Sequence, residues 1–278
     1  MKNIPEVCYF YWDGSPMSLL SALSVVSFHR YNPDWRIVVC LPAKDYKDIN
    51  TNILFPFHQI PYKGDDCFGL IKSLPYVEIQ LLDTEKFEKR KIHSILISDI
   101  WRRENLYING GVYSDFDVIW LKPMSHIINV DCIGNPNDFE GIVSFYELTH
   151  SFHNISNMVT EPGSIFLDSL IQESYRKSPP YGDQTFGADM LNALYPNWNS
   201  VVSRFPRMLA IPYETFYPYS TFNLKQLFSE DDLTPLKSKN VMCIHWFYGN
   251  SLSKEYLNEN GLKRDCSMTS VLKKEGYI

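Results

Sequence analysis

The sequence predicts an α/β fold, and three consecutive segments support this class. The first is rich in aromatic and β-branched residues from Ile4 to Trp12 and ends at a turn beginning with Asp13. Apolar residues then recur at helical spacing between Ser18 and Asn32. A second strand-like segment runs from Trp35 to Leu41. Strand, helix and strand in this order predict a parallel β-α-β unit at the start of the chain.

Further elements follow from the same patterns. Between positions 43 and 90 the prolines and glycines allow only short pieces, with one strand at Tyr76–Leu82. A helix is expected over Lys91–Tyr107, because its apolar residues form a stripe and Asn109-Gly110-Gly111 supplies a stop. The second half predicts strands at 141–146, 155–159 and 241–244, helices at 163–175 and 186–194, and an irregular segment or substrate wall at 204–222.

Length and composition bound the class of protein. The 278 residues, 45% of them hydrophobic, suffice for one large core, and the absence of repeats or linkers predicts a single domain over 1–278. A net charge of -6 without a long basic run argues against a nucleic-acid partner. The six scattered cysteines indicate small buried side chains in a reducing compartment. With no signal peptide or transmembrane segment visible, we expect a cytoplasmic protein.

An Asp-x-Asp motif near the middle of the chain is the first candidate for chemistry. If Asn109–Trp120 is extended, Asp115 and Asp117 point to one side while Phe116 faces the opposite layer. The apolar neighbours predict a buried position, where unpaired carboxylates are costly. A divalent cation such as Mg²⁺ or Mn²⁺ would satisfy both acids and keep coordination positions open for phosphate oxygens. Turn residues without a ligand are the alternative reading.

Three other parts of the sequence have both a functional and a structural interpretation. Asp99 and Arg102 lie three positions apart on the helix before the motif. They could form a surface ion pair, or they could face a ligand above the strand end. Asp183 precedes a helix, as an N-cap or as a contact for an anionic or hydroxyl-rich ligand. His245 follows the last strand, as a core residue or as part of a site with Asn250 and Ser251.

Three stretches together resemble the retaining GT-A glycosyltransferases whose sugar-binding region contains the Asp-x-Asp motif. This group, family 32, includes fungal initiating mannosyltransferases and bacterial capsular polysaccharide enzymes, and the large clostridial glucosylating toxins are more distantly similar. The stretches are 4–12 with 32–35, then 98–117, and finally 245–246. The resemblance implies a Rossmann-like fold with a single mixed central sheet flanked by helices. Its nucleotide-binding part would span about 1–122 and its acceptor-side part about 123–278.

The resemblance also implies a role for each matching residue. Asp99 and Arg102 would hold the donor sugar, Tyr113 would line that pocket, and Asp115 would contact ribose or sugar near the metal. Asp117 and His245 would ligate the metal. The other implied roles are base stacking by Trp12, diphosphate contacts by Trp246, Asn250 and Ser251, and an acceptor or sugar contact by Asp183.

The activity implied is hexose transfer from a nucleotide diphosphate sugar, such as a UDP-hexose or GDP-mannose, with retention at the anomeric carbon and with Mn²⁺ or Mg²⁺ as cofactor. Expected acceptors are a glycan, a lipid-linked glycan or a protein, reached in the cytoplasm or at the inner membrane surface. The chain departs from many relatives at Tyr181-Gly182-Asp183-Gln184, where they carry Thr-Gly-Pro. A nucleotide-sugar-binding protein without transferase activity is the alternative.

Overall fold

A computed structural model describes residues 3–43, 60–145, 155–182 and 184–278. Its strands are β1 (Val7–Tyr11), β2 (Arg36–Pro42), β3 (Val77–Leu82), β4 (Gly111–Ser114), β5 (Val118–Trp120), β6 (Gly141–Phe145), β7 (Asn157–Thr160), β8 (Met208–Pro212) and β9 (Cys243–His245). Its helices are α1 (Leu19–Tyr31), α2 (Phe68–Ser73), α3 (Glu85–Lys89), α4 (Ser94–Asn109), α5 (Ile165–Arg176), α6 (Ala188–Leu194), α7 (Trp198–Arg204), α8 (Leu224–Ser229), α9 (Ser251–Asn258) and α10 (Ser267–Lys274).

Seven of these strands form one mixed sheet in the order β3-β2-β1-β4-β7-β6-β8. Strands β3, β2, β1 and β4 run parallel, whereas β7 is antiparallel to both of its neighbours. The carboxyl ends of β1 and β4 therefore lie side by side at one edge of the sheet. In such sheets ligands bind outside the carboxyl ends of the strands.

Side-chain alternation along β1 explains why this strand is buried on both faces. Cys8 and Phe10 belong to the apolar cluster on one face of the sheet, and Val7, Tyr9 and Tyr11 belong to the cluster on the other. Layers that include α1 and α4 cover the two faces. This arrangement confirms the predicted α/β class and the parallel β-α-β start.

A small second sheet of β5 and β9 lies beside α1. The strands pair antiparallel, with Val118 opposite His245. On its other edge β5 donates from Val118 N to Ser24 Oγ at 3.2 Å and from Trp120 N to Ser27 Oγ at 3.0 Å. Buried serines one helical turn apart on α1 thus satisfy backbone groups that would otherwise be unpaired.

The predicted extended segment Asn109–Trp120 is the main difference from the sequence-based expectation. The structure divides it into β4 and β5, which belong to different sheets, and Asp115–Asp117 form the connection between them. Strand alternation is therefore the wrong reason for the two aspartates to share a side. Phe116 does not face an opposite layer either, since its ring lies 5.2 Å from the ring of Trp12, next to the site.

Most other predicted elements appear with small shifts at their ends, but the segment predicted to be irregular at 204–222 contains β8, which pairs with β6 at the end of the main sheet. Ser18 caps α1, and α4 ends at Gly110, as expected from the sequence. The strand predicted at Tyr76–Leu82 is β3, although Tyr146, the last residue of the strand predicted at 141–146, lies outside the described residues. All six cysteines are free thiols, four of them buried. In the described ranges, no helix combines the length and the apolar character needed to cross a bilayer.

Candidate functional site

A cavity of about 380 Å³ opens at the carboxyl ends of β1 and β4. Both aspartates of the Asp-x-Asp motif line it, together with Trp12 and Tyr113. Its remaining lining residues are Tyr11, Asp13, Ser15, Pro16, Ile60, Pro61, Tyr62, Ile95, Ser98, Phe116, Tyr248, Gly249 and Lys254. The cavity is therefore built from segments that are far apart in the sequence.

Asp115 is fixed on several sides by groups of the protein. Its backbone amide donates to Ser156 O at 2.9 Å, and Tyr113 Oη donates to its Oδ1 at 2.7 Å. Arg102 Nη1 lies 3.3 Å from its other oxygen, Oδ2. These contacts hold the carboxylate in one orientation at the base of the cavity.

Asp117 uses its two carboxylate oxygens differently. Oδ2 accepts a hydrogen bond of 2.8 Å from the amide of Tyr248, and the peptide oxygen of Asp117 accepts another of 2.8 Å from the amide of Trp246. Oδ1 lies 2.9 Å from His245 Nε2. This buried oxygen nevertheless accepts no well-aligned hydrogen bond from the described residues. It is the atom left for an additional partner.

One ligand atom each from Asp115, Asp117 and His245 can be chosen so that all three lie within 4.8 Å of one another. Two carboxylates and an imidazole are suitable ligands for Mn²⁺ and are compatible with Mg²⁺. A dication would supply the partner that Asp117 Oδ1 lacks, and it would offset the cost of burying two adjacent acids. The residues present therefore fit a divalent metal.

The two aspartates have opposite pKa shifts. Burial raises the pKa of Asp115 to about 6, with Asp117 adding to the rise and Arg102 opposing it. Burial also acts to raise the pKa of Asp117, but His245 and the amide of Tyr248 outweigh it, so that this pKa is lowered. Asp117 is consequently the more strongly anionic member of the pair before a metal binds.

Arg102 and Asp99 are not a surface ion pair, because both are buried, with 3% and 8% of their surface exposed. Arg102 Nη2 lies 3.1 Å from Asp99 Oδ1 and 3.2 Å from Asp115 Oδ1. Its Nε donates to Ser98 O at 3.1 Å, and Nη1 donates to Ile155 O at 2.6 Å. Since every nitrogen of the guanidinium contacts protein oxygen, Arg102 orients Asp115, and its contact with the donor sugar stays a prediction.

The aromatic residues predicted for the nucleotide pocket lie in two different environments. Trp12 lines the cavity, and its indole Nε1 donates to Ser15 O at 2.6 Å. Tyr113 also lines it, with the guanidinium of Arg102 4.2 Å from its ring centroid. Trp246, by contrast, is fully buried in the apolar cluster between the β5–β9 sheet and the C-terminal helices. The structure thus places Trp246 in the core, where it contacts Asp117 through its backbone only.

The polar residues after β9 have structural roles at the start of α9. Asn250 is the N-cap, and its side chain accepts from the amide of Leu252 at 3.0 Å. Ser251 is the exposed first residue of the helix, and neither residue lines the cavity. The remaining sequence-predicted residue, Asp183, lies outside the described residues.

Lys254 is the residue of this site that the sequence analysis missed. It lies one turn into α9, is 4% exposed, and places its ammonium 3.0 Å from the ring centroid of Tyr248. Burial lowers its pKa to about 8, against the opposing effects of Asp117 and Asp13. The sequence places Lys254 four positions after the N-cap Asn250. This spacing alone does not show that this face of α9 meets the cavity.

The comparisons with known proteins agree with this geometry. Residues 20–134 match the family described as the glycosyltransferase sugar-binding region containing a DXD motif. Over 236 residues the chain is 26% identical to lactosylceramide 4-alpha-galactosyltransferase of Rattus norvegicus, an alignment that covers 80% of this chain and 60% of the relative. The chain thus spans less than two thirds of the length of this relative.

The solved structure of a streptococcal glycosyltransferase shows the same fold at low sequence identity. The glycosyltransferase GlyE of Streptococcus pneumoniae aligns with a TM-score of 0.51 and 13% identity, over 99% of this chain and 64% of that protein. The galactosyltransferase LgtC, solved with donor and acceptor sugar analogs, aligns with a TM-score of 0.46 and 14% identity, over 86% of each chain. The match to the sugar-binding region includes Asp115 and Asp117, and together with the shared fold it supports the resemblance of this chain to GT-A glycosyltransferases with a DXD motif.

Proposed function

We propose that this protein transfers a hexose from a nucleoside diphosphate sugar to a glycan-bearing acceptor, with retention of the anomeric configuration and with Mn²⁺ or Mg²⁺ held by Asp115, Asp117 and His245. The observation that carries the proposal is the convergence of these three ligand atoms within 4.8 Å. Asp115 and Asp117 line a cavity that is also lined by Lys254 and Trp12. A cation and a lysine can stabilise negative charge on a diphosphate, and a tryptophan can stack on a base.

When bound, the cation would neutralise charge that develops on the departing diphosphate. Lys254 provides a second positive charge in the same cavity, and its ammonium lies 3.0 Å from the ring centroid of Tyr248. Because Lys254 is almost fully buried, its attraction to a phosphate is weakly screened by water. Arg102 and Tyr113 keep Asp115 in place, so that little reorganisation is needed when the donor binds.

The donor and acceptor are proposed by chemical class. Trp12 offers an aromatic surface for the base, and the cavity volume suits part of a sugar nucleotide. The rat relative is named for galactosyl transfer to lactosylceramide, so UDP-galactose and a glycolipid headgroup are the first donor and acceptor to test. UDP-glucose, GDP-mannose and a protein acceptor complete the panel, and a glycolipid or lipid-linked acceptor would place the enzyme at the inner membrane surface.

The test is donor turnover by the Asp117→Asn variant. Asn keeps the shape of the side chain and can still accept from the amide of Tyr248, but it lacks the charge that holds a cation. We expect turnover to fall by about a thousandfold, and a chelator to abolish turnover by the wild-type protein. Asp138→Asn is the matched control, since Asp138 is exposed and pairs with Arg207 outside the cavity lining.

Two outcomes would contradict the proposal. Turnover that persists with chelator present would remove the metal from the mechanism. If calorimetry shows that UDP or GDP binds, but no sugar is released from a sugar nucleotide over long incubation, the protein is a binding protein and not a transferase. Thermal unfolding of each variant shows whether a loss of turnover reflects the site or the fold.

A further inference from the structure

One wall of the cavity is an irregular segment between two anchors. This wall segment, Ile60–Asp66, contains neither helix nor strand, and three of its residues line the cavity. The three are Ile60, Pro61 and Tyr62. Trp12 and Lys254, which we propose bind the nucleotide, line the same cavity. The position of this wall therefore influences how tightly a nucleotide is enclosed.

The first anchor joins the end of the wall segment to the chain just after Trp12. Asp66 Oδ1 accepts from the amide of Met17 at 2.9 Å and from the amide of Phe68 at 3.0 Å. The amide of Cys67 donates to Met17 O at 2.8 Å. Two of these three hydrogen bonds fix this end of the segment to Met17, five positions after Trp12 in the chain.

The second anchor is the side-chain amide of Asn258, the last residue of α9. Its Oδ1 accepts from the amide of Lys63 at 2.8 Å, and its Nδ2 donates to Pro61 O at 3.0 Å. One side chain therefore binds the backbone on both sides of Tyr62. Asn258 lies four positions after Lys254, so both residues project from the same face of α9.

Between the anchors the ring of Tyr62 folds back over Gly64. A Cβ at position 64 would lie 2.2 Å from Tyr62 Oη, and this hydroxyl donates to Asp65 O at 3.1 Å. The position of the Tyr62 ring therefore depends on the position of the backbone on both sides of it. Among the described residues, Asn258 is the side chain that holds the backbone on both sides of it.

We propose that Asn258 is a positioning residue for the nucleotide part of the donor. It holds the wall segment against α9, which keeps Tyr62 in place in the cavity that Trp12 also lines. The inference rests on the proposed function, because it requires that the cavity bind a nucleoside diphosphate. It assigns Asn258 no contact with the reacting atoms, so a loss of Asn258 should weaken donor binding more than it slows the chemical step.

The experiment compares Asn258→Ala with wild type in three measurements: calorimetric affinity for UDP and GDP with Mg²⁺, KM and kcat for the donor, and hydrogen exchange of the backbone around Lys63. We expect nucleotide Kd and donor KM to rise about five- to tenfold, as for the loss of one or two hydrogen bonds, with kcat changed less than twofold. Exchange around Lys63 should accelerate, while Tm changes little because Asn258 is partly exposed.

Asn258→Asp is an intermediate variant, since a carboxylate can accept from the amide of Lys63 but cannot donate to Pro61 O. Its Kd should lie between those of wild type and Asn258→Ala. Glu259→Ala is the matched control, because Glu259 is the next residue along the chain, is exposed, and pairs with Arg264. This control should bind nucleotide as wild type does.

Faster exchange around Lys63 with an unchanged nucleotide Kd would overturn the positioning role and leave the proposed function intact. A fall in kcat with an unchanged KM would also overturn it, since that result would place Asn258 in the chemical step. Failure of wild-type protein to bind UDP or GDP with either Mg²⁺ or Mn²⁺ would overturn the proposed function and this inference together.

Discussion

Asp117, which we propose as a metal ligand, has its two carboxylate oxygens in different surroundings. Its Oδ2 is held by the amide of Tyr248, while Oδ1 faces His245 without a well-aligned hydrogen bond from the described residues. Phe247, which lies between these two partners, adopts a left-handed backbone with φ of 54°. Such a conformation costs about 1–2 kcal/mol for a residue other than glycine. It turns the chain so that the following amide points at the carboxylate, a local strain that serves the site.

Lys254 provides a test of charge at the residue scale. Its pKa of about 8 leaves it protonated at pH 7, and it loses its charge as the pH rises through that value. Affinity for UDP with Mg²⁺ should therefore be highest below pH 8 and fall about three- to tenfold by pH 9, measured by calorimetry.

Two variants separate this effect from other titrations. Lys254→Met should bind UDP about tenfold or more weakly at pH 7, as for the loss of a charged hydrogen-bond donor, and should show no further decrease up to pH 9. Lys254→Arg keeps its charge throughout this range and should also show a flat profile. A decrease above pH 8 that persists in Lys254→Met would assign the pH dependence to another group.

At the scale of elements, the turn between α4 and β4 joins the two parts of the site. Helix α4 carries Asp99 and Arg102, and β4 leads directly to Asp115. Gly110 and Gly111 make the reversal with φ of 65° and 103°. A Cβ at position 111 would lie 2.7 Å from the backbone oxygen of Val7 in β1. The glycine therefore permits both the backbone conformation and the close approach of two strands.

Gly111→Ala should consequently lower the free energy of unfolding by about 3 kcal/mol, because it adds a backbone clash to an unfavourable φ. Gly163→Ala is the matched control. Gly163 also has a positive φ, of 74°, but no heavy atom of the described residues lies within 4 Å of its Cβ position, so its cost should be about 1 kcal/mol. Denaturant unfolding measures both values, and equal losses for the two variants would mean that the contact with Val7 is easily relieved.

At the scale of the whole molecule, the site is closed by segments from across the chain. Trp12, the Asp-x-Asp turn, His245 and Lys254 come together because the parallel strands end at one edge and β9 pairs with β5. A ligand that bridges these segments binds the folded state alone, so it stabilises the whole fold by mass action.

We expect a nucleoside diphosphate and Mn²⁺ together to raise the Tm by about 5–10 °C at concentrations near a hundred times Kd. Mn²⁺ alone or nucleotide alone should have a smaller effect, because each leaves part of the charge in the cavity uncompensated. The measurement is a thermal-shift series with UDP, GDP and their sugar derivatives, with Asp117→Asn as the negative control. Equal shifts for Asp117→Asn and wild type would exclude Asp117 as a metal ligand.

The sequence alone was sufficient for the α/β class, the parallel start and the glycine stop after α4, and it identified Asp115 and Asp117 as candidate site residues. Each of these depends on periodicity or on residue types within a short window, and such patterns report local conformation directly. The resemblance stated from three short stretches, a GT-A glycosyltransferase with an Asp-x-Asp motif, is confirmed. The single-domain organisation, the retention of configuration and the role of Asp183 stay predictions.

Only the tertiary structure decided which side chains share the cavity. It placed Trp246 in the core and Asn250 at a helix cap, and it used the donors of Arg102 within the protein. It also brought Lys254 to the cavity and Asn258 to the wall segment. These outcomes depend on contacts between residues that are far apart in the chain. A local pattern shows which side of a helix or strand is buried, but packing between distant elements determines which residues that side contacts.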